Sequence, residues 1–421
     1  MQCLFKNARI TDPQSEYHGQ TLDLLVRDGK IVEVNQDITA ADVRVIEAKG
    51  LHLSPGRADV GTNICDPGYE HREDAESAAA AAAAGGFTTL LPQPNTLPVI
   101  QSKSEINYLH GISRTLPVTL HPVGALSADT KGENITEMTD MHTAGAVAFS
   151  DGQKSVQSGG LLLRALQYVK AFDGIIVHRP HDRELARGGQ IHEGYVSTSL
   201  GLRGLPVLAE ETMIKRDIAL AEYADSRLHL SDISSKAAVN AVKEAKRKGL
   251  KITASVAVMN LLFTDANLTD FNTNFKVMPP LRDESDRKAL IKGLKDGTID
   301  FVTTNHTPLE PEHKELEFTY ADFGAINLQS AFGMCLRYLP QFSLEEWTEK
   351  WTINPRKIFN LPPAKIAVGE VADLTAYLPE ESFILAEKDI LSKSKNSPVT
   401  GEELKGRTLA TVNGEALSLF F

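Results

Sequence analysis

Two imidazoles two residues apart at the end of a strand point the same way, and can share a metal ion. The stretch DVGTNICDPGYEHRED, residues 59–74, stands where such a pair would be useful. It follows the short run RADVGTN, carries a Pro-Gly turn and a cluster of charges, and leads into an alanine-rich helix. The two positions hold Gly61 and Asn63. Glycine has no ligand atom, and a neutral amide is a poor zinc ligand. Other groups able to do chemistry close further short apolar runs: Asp151 after AVAFS, His178 in GIIVHR, His229 and Asp232 in LHLSDI, Asn305 and His306 in DFVTTNH.

These runs need a scaffold that brings their ends together. From Ser54 onward, short apolar segments alternate with longer amphipathic ones, the pattern of parallel strands with helical crossovers. Eight strands are predicted: 57–63, 87–93, 118–125, 146–150, 174–179, 228–233, 251–258 and 300–306. Segments such as SKAAVNAVKEAKRKG and SDRKALIKGLKDG end in Lys and Gly, as helices do. Eight strand–helix units over this length predict a (β/α)8 barrel, with a doubly wound sheet as the alternative. Residues 1–53 read instead as short strands, with a hairpin turn at Asp28-Gly29. After Pro362 the chain is strand-like again. The predicted organisation is a barrel over 54–362 beside a small β-sandwich built from 1–53 and 363–421.

Bulk composition narrows the function. With 55 acidic and 44 basic residues the formal charge is −11, which disfavours nucleic acid or an anionic membrane as partner. Cys3, Cys65 and Cys335 form no zinc-ribbon or disulfide pattern and fit a reducing, cytoplasmic setting. No signal peptide or membrane span is indicated.

The blocks PGRADV, DPGYEHRED, AAAAGGFTTLLPQPNTLPVI, GAVAFSD, HEGYVSTSLGLRGLPVLAEETMIKRDI, VMPPLRDESDRKALIKGLKDGTIDFVTTNHTP and TINPRKIFNL occur in this order. Together they closely resemble the class I dihydroorotases of the amidohydrolase superfamily, essentially end to end. The resemblance implies a (β/α)8 barrel with a β-sandwich from both termini. It also implies zinc-dependent, reversible cyclisation of carbamoyl aspartate to dihydroorotate in pyrimidine synthesis.

At the positions matching the family's functional residues, this chain departs repeatedly. Gly61 and Asn63 replace the opening His-x-His ligands, and Cys65 stands at the arginine that clamps the substrate carboxylate. Cys65 reads as a buried, inert thiol, with a thiolate ligand or nucleophile as its sharper alternative. Asn95 keeps a substrate-binding asparagine, or serves as a turn residue before Pro98. Asp151 survives from a pair of aspartates whose second member is Gly152. His178 matches a metal ligand, while Asp232 replaces another; Met259 and Asn260 fall at a further histidine pair. Met278 and Leu309 replace substrate contacts, and Asn305 stands at the aspartate that passes the proton. An amide cannot take that role near pH 7.

The losses together imply a dihydroorotase fold without its chemistry, with no catalytic residue, no metal and no cofactor expected. Asp151, His178 and Asp232 are the residual candidates for a mononuclear zinc site, should the alternative of a working cyclic amidohydrolase hold. A third reading keeps the pocket as a binding site for pyrimidine intermediates. The resemblance further implies a non-catalytic scaffold role with aspartate transcarbamoylase as partner, and a homodimer.

Overall fold

The computed structural model describes residues 1–420. Alternating apolar residues and tight turns at the amino terminus give antiparallel strands. β1 (Gln2–Ile10), β2 (Thr21–Arg27) and β3 (Lys30–Asn35) form a meander. The turn residues Asp28 and Gly29 both have positive φ, 47° and 73°, the mirror-image turn that follows strand twist. β4 (Arg44–Glu47) and β5 (His52–Pro55) run parallel to β1.

From β6 (Arg57–Thr62) the strands are parallel and interspersed with helices. They are β7 (Phe87–Pro92), β8 (Thr119–Leu120), β9 (Val123–Gly124), β10 (Ala148–Phe149) and β11 (Ile175–His178). A small ribbon of β12 (Ile191–His192) and β13 (Gly204–Leu205) intervenes before β14 (Arg227–Leu230), β15 (Ile252–Ala257) and β16 (Phe301–Thr303). The segment 118–125, predicted as one strand, is two. β8 pairs with β7, and β9 pairs with β10. Between them sits Pro122, which has no N–H to give a ladder; its carbonyl accepts from Val147 at 3.0 Å. Counted as one position, β8 and β9 make the third of eight barrel strands. The last strand meets the first where the Asn63 N–H donates to the His306 carbonyl (3.0 Å) and the Thr304 N–H to Asp59 Oδ1 (2.7 Å).

The alanine run forms a helix over Ala75–Ala84, started by a capping box between Asp74 and Ser77. Its small side chains are almost all buried, so the helix lies close against its neighbours. Phe87 packs edge-on to the buried Trp351 at 5.3 Å between ring centroids. Val60, Leu91, Val123, Ala148, Val177 and Phe301 form one cluster contributed by strands around the ring, a packed core and not a pore.

The carboxyl-terminal strands β17 (Asp373–Ile384), β18 (Glu403–Asn413) and β19 (Ala416–Leu419) return to the amino-terminal sheet. β17 pairs antiparallel with β5, giving the order β19-β18-β17-β5-β1-β2-β3. The architecture is the predicted (β/α)8 barrel with a β-domain drawn from both termini. Among the described residues no helix is long and apolar enough to cross a membrane. Arg356 ties the two parts together: its Nη2 donates to Asp373 (2.6 Å) at the start of β17 and to Thr89 (2.9 Å) in β7. Arg356→Met strands Asp373 without its cation. It is expected to cost about 3 kcal/mol, read as a lower Tm than that of the unaltered chain.

Candidate active site at the barrel mouth

The carboxyl ends of the barrel strands open on a cavity of about 630 Å³, lined in part by Asn63, Cys65, Asn95, Gln153, Thr307 and Leu309. Its polar lining is rich in carboxamides. Each sequence-predicted site residue is accounted for by what it touches.

At the end of β6 the ladder with β7 shifts register between Val60 and Thr62, and Gly61 takes φ 89°, a conformation that favours glycine. Gln93, at the end of β7, donates from Nε2 to the Gly61 carbonyl at 2.8 Å. A Cβ at position 61 would sit 3.1 Å from that nitrogen. Asn63 turns its amide onto the neighbouring strand end, donating to the His306 carbonyl (2.9 Å) and Thr307 Oγ1 (3.2 Å). Cys65 is buried, and burial, reinforced by Glu73, pushes its thiol up to about 12. A thiol so placed favours its protonated form near neutral pH.

Asn95 serves the loop beside it. Its Nδ2 donates to the Asp151 carbonyl (3.0 Å), and its Oδ1 accepts from the Gln153 N–H (2.9 Å). A Cβ on Gly152 would lie 1.8 Å from Asn95 Oδ1 and 2.9 Å from Gln93 Oε1. The second aspartate of the family motif therefore has no room here. Asp151 itself is buried with its carboxylate filled by one serine: Ser127 donates its N–H to Oδ1 (2.8 Å) and its hydroxyl to Oδ2 (2.5 Å). Desolvation raises its pKa against those bonds.

His178 is held at both nitrogens. Nδ1 donates to Asp217 at 2.6 Å, which leaves Nε2 as acceptor of the Val156 N–H at 2.8 Å. This tautomer is assigned from the partners. The Nε2 lone pair that would bind a metal is thus engaged, although the orienting carboxylate is of the kind that supports metal-bound histidines.

Asp232 accepts from the Thr303 hydroxyl (2.6 Å) through Oδ1 and from Arg179 Nη2 (2.9 Å) through Oδ2. The same Nη2 donates to Asn305 Oδ1 at 3.0 Å, and Asn305 Nδ2 donates to the Met278 carbonyl at 2.9 Å. Met278 contributes that carbonyl to the site, while its side chain packs with Phe323, Leu205 and Ala209. Leu309 stays at the cavity wall.

Four other positions are structural. His229 stacks on Phe301 at 4.8 Å, bonds Thr253 and Ser255, and burial lowers its pKa to about 3. His306 is buried, with Nδ1 accepting from the Asn327 N–H at 3.1 Å and Nε2 3.4 Å from Glu73, so it offers no base to the cavity. Met259 and Asn260 lie not at a strand end but in a short helix, Val258–Leu262, where Asn260 donates to the Pro280 carbonyl (2.9 Å).

Zinc does not fit this donor set. Gly61 has no ligand atom, Asn63 and Asn305 are amides, and Asp151, His178 and Asp232 already satisfy internal donors. Nor do those three converge as a triad with all ligand atoms within 4.8 Å of one another. Among the described residues only His192, Asp283 and Asp286 do so, and there Arg282 Nη1, 3.3 Å from His192 Nδ1, supplies a cation already. The residues that sequence reasoning passed over are Arg179, Gln93, Ser127 and Asp217. An arginine closing the otherwise apolar run GIIVHR was the signal for the first; the others carry none.

Two outcomes follow from this geometry. Gly61→His with Asn63→His is expected to lower the Tm, because the first change forces a side chain into positive φ and against Gln93. Cys65 is expected to alkylate slowly in the native chain at pH 8, with a thiolate fraction about a thousandfold below that of an ordinary cysteine. Reaction rates with iodoacetamide before and after denaturation measure this.

Over residues 50–238 the sequence matches the family described as Dihydro-orotase-like. A dihydroorotase from Syntrophus aciditrophicus (strain SB) is 38% identical over 417 residues, covering 98% of both chains. A dihydroorotase from Acetivibrio thermocellus is 38% identical over 419 residues with the same coverage. Among solved structures, the L-hydantoinase (dihydropyrimidinase) from Arthrobacter aurescens aligns with a TM-score of 0.87 at 24% identity, covering 100% of this chain and 97% of its own. Dihydropyrimidinase from Brevibacillus agri NCHU1002 aligns at 0.84 and 21% identity, covering 100% and 95%. The solved structures share the fold; the similarity to the dihydroorotases runs the length of the chain, which belongs to the dihydroorotase family.

Proposed function

We propose that this dihydroorotase-family protein of pyrimidine biosynthesis has lost the family's metal-dependent ring chemistry. The observation that carries the reading is at Asn305. The family resemblance puts the proton-passing aspartate there, and the amide that replaces it accepts from Arg179 and donates to Met278. A carboxamide so held neither takes nor gives a proton near neutral pH, and losing a general base alone costs about 10²- to 10⁴-fold. The missing metal ligands and the absent carboxylate clamp at Cys65 point the same way. A role left to such a chain is structural: its outer barrel surface would hold aspartate transcarbamoylase in a larger assembly, a partner inferred from the family resemblance.

The names of the relatives favour a second reading, an active dihydroorotase or other cyclic amidohydrolase with a rebuilt zinc site. Asp151, His178 and Asp232 would then have to release Ser127, Val156 and Arg179 to become ligands. The purified chain, supplied with zinc, is expected to leave dihydroorotate and carbamoyl aspartate at the uncatalysed rate. Turnover that a chelator abolishes and Asp232→Ala removes would establish the second reading. Co-elution with aspartate transcarbamoylase on gel filtration tests the structural role, and separate elution counts against it.

A further inference from the structure

Arg179 does more than fill space at the end of β11. Its guanidinium is buried, with 5% of the side chain exposed, and Asp232 beside it is 3% exposed. One nitrogen, Nη2, bridges Asp232 Oδ2 at 2.9 Å and Asn305 Oδ1 at 3.0 Å, and Nη1 approaches the Met278 carbonyl at 3.4 Å. Asp232 and Asn305 close two different strands, and their side-chain oxygens meet at that one nitrogen. Two oxygens converging on a buried point call for a positive charge. Here a side chain of the chain itself provides it.

We propose that Arg179 is the resident cation of the barrel mouth, standing between the ends of β14 and β16 in the role of a divalent ion, and that its presence excludes such an ion. The inference rests on the reading of Asp232 and Asn305 as former metal-site and proton-transfer positions. A guanidinium suits the task because it stays charged and offers several donors in one plane. It neutralises Asp232 with no exchangeable water, so it supplies charge without generating a nucleophile. The site is then closed by its own chain.

The test is the response of the mouth to added cations. Arg179→Ala should lower the Tm by roughly 5 °C, since it leaves a buried carboxylate unpaired. Millimolar guanidinium chloride, compared with equal sodium chloride, should restore much of that loss, and zinc chloride should raise the Tm of the variant but not of the unaltered chain. Adding Asp232→Asn should recover stability and abolish both responses. If Arg179→Ala does not fold, the double variant should. An Arg179→Ala chain that responds to guanidinium and zinc no more than the unaltered chain overturns the proposal, as does a double variant that keeps the response or also fails to fold. Zinc-dependent turnover by the unaltered chain, with the variant's cation response intact, contradicts the proposed loss of chemistry and the exclusion of the ion, but not the pairing of Arg179 with Asp232.

Discussion

A carboxylate buried where strand ends converge is costly unless it meets a positive charge or several good donors. In this barrel that requirement falls on Asp232 and Asp151, and the chain meets it from within. Arg179 bridges Asp232 to Asn305, and Ser127 fills Asp151 with its amide and hydroxyl. The same rule shapes the neutral groups. Asn63, Gln93 and Asn95 each spend an amide on a backbone carbonyl across the mouth. The result is a polar network built by the protein alone, in which Gln93 Oε1 and Arg179 Nε are left without a partner but the carboxylates at Asp151 and Asp232 are both engaged.

The replacements are coupled through space. Gln93 reaches into the region a side chain at 61 would enter, and Asn95 occupies the region a side chain at 152 would enter. Gly61 and Gly152 also have positive φ, so the backbone has settled into conformations that a larger residue would strain. Restoring one ligand therefore meets both a neighbour and a backbone, and the state of the site belongs to the set of residues together.

The barrel was legible because its signals repeat. Eight apolar runs with intervening amphipathic helices specify parallel strands many times over, and an interruption such as Pro122 shortens one strand without changing the plan. The site was legible only by its departures. Gly61, Asn63 and Asn305 stand out because a residue type suited to ligation or proton transfer is missing. Ser127 and Gln93 were not legible, since a loop serine and a strand-end glutamine are ordinary residues until the fold brings them to Asp151 and Gly61; Arg179 carried a signal, a cation closing the run GIIVHR, that did not name Asp232 as its partner. Asp232 read as a softened zinc ligand for the same reason: its oxygens look free until Arg179 and Thr303 are placed beside them.

Similarity over the whole chain and chemistry at the mouth answer different questions. Identity of 38% over 98% of the chain reports on strands, helices and packing, and it establishes the family. Catalysis depends on a handful of side chains that weigh little in that figure, so a family name does not by itself carry an activity. The most direct measurement is the zinc content of the purified, unaltered chain after equilibration with zinc and removal of excess, read by elemental mass spectrometry. The account predicts well under one ion per chain, unchanged by Asp232→Ala. One tightly held ion per chain, lost on that substitution, would contradict it.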